Sequence, residues 1–116
     1  GLSDLGWREG ENIILDVQHA AGNIAQLSAL AAFIASRSPE VIVVDGDLTA
    51  RAAVQAAPGI PIVFTLVTDP LRLGVANSLS QPGGLVTGQT GFSLDLTAKR
   101  VAILKEALPT TARLAV

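Results

Sequence analysis

The sequence has 116 residues, of which 49% are apolar and 16% charged, with a formal net charge of −2 and no cysteine. That is enough apolar material for one domain with its own core, and it excludes a disordered tail, a disulfide framework and thiolate metal sites. Lys and Arg are scattered singly, so no basic stripe supports nucleic-acid binding, and no apolar run approaches the length of a membrane span.

The chain opens at Gly1 without a charged-then-apolar leader and reads as an internal piece of a longer protein. Trp7 to Glu11 reads as a helix end entering a turn. Asn12 to His19 alternates loosely, with Ile13, Leu15 and Val17 on one side, and predicts a strand. Gly22 and Asn23 open a predicted helix to about Ser36, with Ile24, Leu27, Ala31 and Ile34 on one stripe and Pro39 as the stop. Val41 to Val44 is a continuous β-branched run, the pattern of a strand buried on both faces. Asp45-Gly46-Asp47 breaks it, and the alanine-rich stretch from Thr49 to Ala57 predicts a helix ended by Pro58-Gly59.

Ile60 to Val67 predicts the second buried strand, with Pro61 tolerable near its start. In Thr68-Asp69-Pro70, Asp69 is a candidate N-cap with Pro70 at the first helical position, predicting a short helix over Leu71 to Leu79. Gln81-Pro82-Gly83-Gly84 closes it, and Leu85 to Thr90 predicts a third strand. From Ser93 a helix follows with Leu94, Val101, Leu104 and Leu108 inward, stopped by Pro109, and Arg113 to Val116 begins a further strand. Strand and helix alternate throughout, which predicts a single α/β lobe over residues 1–116: a doubly wound parallel sheet in three layers, with helices on both faces.

In an open parallel sheet, ligands gather beyond the carboxyl ends of the strands. Those ends carry Asp45 to Thr49, Thr68-Asp69-Pro70 and Thr90 to Ser93, each leading into a predicted helix start. Small hydroxyl residues there suit a solute's polar groups, and free N–H groups favour a carboxylate. Taken singly, Thr49, Asp69 and Ser93 are explained as helix caps; together at one edge they point to a site. Asp47 would repel an anion but attract an ammonium group, whereas Asp45 reads as a turn residue. The candidate ligand-binding residues are therefore Asp47, Thr49, Thr68, Asp69 and Thr90. His19 is the sole histidine, so neither a metal site nor a His-containing triad is expected, and no cofactor motif occurs.

Gly1 to Ile13 resembles the opening segment of a bacterial group of ABC transporter substrate-binding proteins that includes the tryptophan/tyrosine-type binding proteins. The resemblance runs through Ile60-Pro61-Ile62-Val63-Phe64, Thr68-Asp69-Pro70 and Ser78 to Gly88, then Lys99-Arg100, Leu104-Lys105-Glu106, Leu108-Pro109 and Arg113 to Val116. It implies a type I periplasmic-binding-protein-like lobe, most of the N-terminal lobe of two, with residues 113–116 starting the crossover to the second. It implies a non-enzymatic, extracytoplasmic lipoprotein that binds a small polar solute such as an amino acid between its lobes and delivers it to the membrane permease. At Asp47-Leu48, relatives more often carry Thr-Pro. The family's first strand is expected to be missing, and Arg113 to Val116 is expected to fill the gap in cis or from a second copy, giving a homodimer.

Pattern alone leaves three alternatives, the third a small α/β enzyme, for which the sequence supplies no convincing nucleophile with its base. Asp45 and Thr68 could serve as the phosphoacceptor and switch hydroxyl of a receiver domain, although no lysine ends the strand near Thr90. A ligand-binding sensor lobe of a transcription regulator would share the same fold.

Overall fold

A computed structural model describes residues 1–91 and 93–113. Three parallel strands form its sheet in the order β1-β2-β3: β1 is Ile42–Asp45, β2 is Ile62–Val67 and β3 is Val86–Thr90. Helix α1 spans Leu27–Ser36, α2 spans Asp47–Ala56 and α3 spans Ser93–Ala107. This is the α/β lobe that the alternation predicts.

Register decides which side chains meet. Ile42, Ile62 and Val86 sit side by side, as do Val44, Phe64 and Gly88. Since successive residues of a strand face opposite ways, these two rows share one face. Ala53 and Ala57 pack with Ile42 and Ile62, and Ala50 packs with Phe64, Val67 and Val75. Alanine at these positions keeps α2 helical and lets its axis approach the sheet closely. From α1, Ile34 and Ala35 close over the first of these clusters. On the other face Val43 is 67% exposed, so the described residues cover β1 on one face only, rather than on both as its β-branched run suggested.

Two further expectations are corrected. Ile14 to Ala20 forms no strand; a single parallel bridge links Glu9 and Ile13, and Ile14 is 91% exposed. Alternation is only a propensity, and a strand exists only where a neighbour completes its ladder. The segment is held instead by an ion pair of 2.6 Å between Asp16 and Arg37, whose guanidinium lies 5.7 Å from the Phe33 ring centre.

Leu71 to Leu79 is likewise a series of turns and no helix. Gly74 takes φ 69°, and the Pro70 carbonyl accepts from both Val75 (3.0 Å) and Ala76 (3.2 Å), so the first turn closes on itself. Asn77 N–H then donates to the Pro82 carbonyl at 2.7 Å, binding the connection to the Pro-Gly-Gly segment that leads into β3.

The helix before β1 begins later than its stripe implied, as a 3-10 turn over Ile24–Gln26 capped by Asn23, with α1 starting at Leu27. In α3, Val101 is exposed and Leu104 half-buried, and Leu108, just past the helix end, is exposed. Of the predicted terminal strand, residues 114–116 lie outside the described residues, as does Phe92.

Candidate functional site

The parallel strands deliver all three of their carboxyl ends to one edge of the sheet, and the chain has to reverse there. After Asp45 the reversal is made by Gly46 (φ 84°, ψ 171°), a conformation open to glycine and not to residues with a Cβ. Its N–H donates to the Thr65 carbonyl at 2.9 Å and its carbonyl accepts from Ala50 N–H at 3.1 Å, so β1 passes into α2 across a single residue.

That tight turn places Asp47 in the first turn of α2, where the helix dipole favours a carboxylate. Its Oδ1 accepts from the backbone N–H of Thr68 at 2.7 Å, tying the start of α2 to the end of β2. Among the described residues Oδ2 has no hydrogen-bond partner, and the side chain is half-buried. The Thr68 carbonyl accepts from the Thr90 hydroxyl at 3.2 Å. Gly91 N–H donates to the Val67 carbonyl at 3.1 Å. Asp47, Thr68 and Thr90 thus form one hydrogen-bonded line across the ends of all three strands.

The other two candidates are turned to local work. Thr49 donates its hydroxyl to the Asp45 carbonyl and, at 2.9 Å, to the Gly46 carbonyl, so its one proton stays inside the first turn of α2. Asp69 Oδ1 accepts from Leu71 N–H (3.1 Å) and Arg72 N–H (3.0 Å), capping the turn after β2. Asp45, read as a turn residue, accepts at Oδ1 from the Thr65 hydroxyl at 3.0 Å.

Two features of this edge were not legible in the sequence. First, β2 carries one residue more than β3 near its end: Phe64 pairs with Gly88 and Val67 with Thr90, leaving Thr65 and Leu66 opposite Gln89. Leu66 takes the left-handed conformation (φ 52°) and is 69% exposed. Second, a hollow of about 100 Å³ lies between the Pro70–Pro82 connection and β3, bordered by Phe64, Pro70, Ala76, Leu79, Pro82 and Thr90. Sites that enclose a small molecule typically measure ~300–1,000 Å³. Among the described residues this edge is therefore an open rim of aligned polar groups beside a hollow too small to enclose a solute. Among the described residues no group of carboxylates and imidazole could hold a metal ion.

An open parallel α/β sheet with its polar groups lined along the carboxyl edge fits the lobe of a periplasmic binding protein. Residues 1–116 all match the family model described as ABC transporter substrate binding protein, and the chain belongs to that family. It is 36% identical over 104 residues to a tyrosine-binding protein of Clostridioides difficile (strain R20291), covering 89% of this chain and 30% of that protein. A crystal structure of a conserved domain protein from Vibrio cholerae O1 biovar eltor superposes with a TM-score of 0.83 at 38% identity, over 94% of this chain and 36% of the other. The ligand-free, open structure of a substrate-binding protein with adhesive properties from Clostridium difficile gives 0.77 at 33% identity, over 88% and 35%. The chain therefore spans about a third of the length of these relatives. Family membership sets aside the receiver reading of Asp45 and Thr68.

Proposed function

We propose that this lobe forms one wall of an interlobe cleft in an extracytoplasmic lipoprotein that binds an amino acid and passes it to the membrane permease of an ABC importer. The observation that supports this most is Asp47: Oδ1 is anchored on Thr68 N–H at the carboxyl edge of the sheet, while Oδ2 has no hydrogen-bond partner among the described residues. A fixed carboxylate beside aligned peptide and hydroxyl groups suits an ammonium group, and Thr68 and Thr90 offer further polar contacts. Thr49 and Asp69 act by shaping the two turns that flank the site. The tyrosine-binding relative, 36% identical over 104 residues, makes an aromatic amino acid the first solute to try. The reading assigns the chain binding and no catalysis.

The test is calorimetric titration of the full-length protein with L-tyrosine and L-tryptophan. Binding in the micromolar range, weakened at least ~10-fold in Asp47→Asn, is expected, since a charge-assisted hydrogen bond contributes about 1.5–3 kcal/mol. Absence of binding to any amino acid overturns the reading.

The proposal extends to assembly. The outer edge of β1 is unpaired among the described residues, and an open edge beside exposed Val41 and Val43 favours the addition of a strand. We assign Arg113 to Val116 to that place, in cis or from a second copy. Deleting 113–116 should lower the mass seen by light scattering or the stability of the chain; if neither changes, the assignment fails.

A further inference from the structure

Leu66 is left-handed (φ 52°) inside β2, a conformation disfavoured about 5- to 30-fold for an ordinary L-residue. Ala21 and Ser38, with φ 48° and 51°, share it, but both lie outside the helices and strands. Strain of this kind persists only where the surrounding structure fixes it, and it gathers at functional sites.

Before Leu66 the ladder is regular: Ile62, Val63 and Phe64 pair with Val86, Thr87 and Gly88. After it the strand resumes one residue out of step, with Val67 opposite Thr90. Phe64 and Val67 therefore both enter the core, at 3% and 0% exposure, where an unbroken strand would turn them to opposite faces. The main chain that follows makes every contact joining β2 to the polar line. The Val67 carbonyl accepts from Gly91 N–H at 3.1 Å, Thr68 N–H donates to Asp47 at 2.7 Å, and the Thr68 carbonyl accepts from the Thr90 hydroxyl at 3.2 Å. An extended conformation at Leu66 would remove the offset and with it this placement of Thr68.

We propose that Leu66 is a positioning residue of the solute site that acts through its main chain, its left-handed conformation setting Thr68 between Asp47 and Thr90. The assignment rests on the amino-acid-binding reading above. It makes affinity depend on how readily residue 66 turns left-handed, because the polar line is assembled only in the fraction of molecules that hold that conformation. The polarity of the side chain at this position does not enter.

The test titrates L-tyrosine into the full-length protein carrying Leu66→Gly, Leu66→Asn or Leu66→Val. Gly and Asn accept the left-handed conformation, whereas Val, being β-branched, resists it more than Leu does. Affinity should therefore rank Gly and Asn above wild type and Val below it, with about 5- to 30-fold between the extremes. Hydrogen exchange at the Thr68 amide should slow in Gly and Asn and quicken in Val, since its bond to Asp47 follows the same equilibrium. A residue with a purely structural role would shift the thermal midpoint and leave the affinity of the folded protein alone. Should Leu66→Val not fold, the ranking of Gly and Asn over wild type decides by itself. Equal affinities overturn the assignment and leave the amino-acid reading standing, and so does a ranking in which Val exceeds Gly and Asn, the mark of an apolar side-chain contact. Failure of the wild-type protein to bind any amino acid overturns the parent reading and this assignment with it.

Discussion

Gly88 and Phe64 are in direct backbone-to-ring contact across β2 and β3. A Cβ built on Gly88 would stand 2.1 Å from the Phe64 carbonyl oxygen and 2.5 Å from its ring. The last glycine of the Pro-Gly-Gly-x-Val-Thr-Gly stretch is therefore a space requirement: the phenylalanine ring lies where a side chain would be. Because Phe64 is 3% exposed and packed with Ala50, Val67 and Val75, it has little room to withdraw. Gly88→Ala should destabilise the lobe by about 1–3 kcal/mol, the usual cost of overpacking a filled core. Urea unfolding of wild type and variant measures it, and an unchanged midpoint would show that β3 can shift away at no cost.

Asp47 makes a prediction in which stability and binding separate. Asp47→Ala leaves Thr68 N–H without its acceptor at a half-buried position, so the lobe should lose about 1–2 kcal/mol. Asp47→Asn keeps an oxygen in place and should lose less than half of that, while removing the charge that attracts an ammonium. Equal stability of the two variants in chemical denaturation would mean that the contact with Thr68 contributes nothing.

Thr49 and Thr90 are chemically alike and should behave differently. Thr49→Val removes hydroxyl bonds that never leave the first turn of α2, so stability should fall by under about 1 kcal/mol with solute affinity unchanged. Thr90→Val breaks the bond to the Thr68 carbonyl and loosens the line that joins β3 to the site. Its affinity should fall at least ~3-fold in the full-length protein, on the scale of part of one hydrogen bond. Matching affinities for the two variants would remove Thr90 from the site.

The parts of the fold legible in the sequence are those where local chemistry and the final environment agree. Val41 to Val44 and Ile60 to Val67 are apolar runs rich in β-branched residues, followed by Asp45-Gly46 and by Thr68-Asp69-Pro70, and both became strands within two residues of their expected bounds. Asn12 to His19 was misleading because a strand is completed by its neighbour, and among the described residues only the Glu9–Ile13 bridge forms beside it. Leu71 to Leu79 failed for a different reason. Its apolar spacing is helical, but Gly74 in a left-handed turn lets Val75 and Ala76 both reach the Pro70 carbonyl.

At the site the strand ends were legible, because parallel topology brings them together whatever their residues. The roles within it were less so. Nothing in the sequence links Asp47 to a backbone N–H 21 residues away, and a left-handed leucine has no local signature at all. Where a residue's partner is set by register, and not by spacing along the chain, sequence pattern names the neighbourhood but not the bond.

The remaining prediction concerns the chain of 116 residues taken alone. Its polar line is open to solvent on one side, and the nearby hollow of about 100 Å³ holds too little of a solute to exclude water. An ammonium group on a half-buried carboxylate that water still reaches exchanges one hydrated partner for another, a contact that contributes about 0–1 kcal/mol. Enclosure changes this, since a second wall would displace water from Asp47 Oδ2. The isolated lobe should thus bind tyrosine more weakly than about 1 mM, against the micromolar range expected for the full-length protein. Titration followed by chemical-shift changes at Thr68 and Thr90 can read affinities that weak. Submillimolar binding by the lobe alone would mean that its rim forms a complete site, and that closure serves delivery to the permease more than affinity.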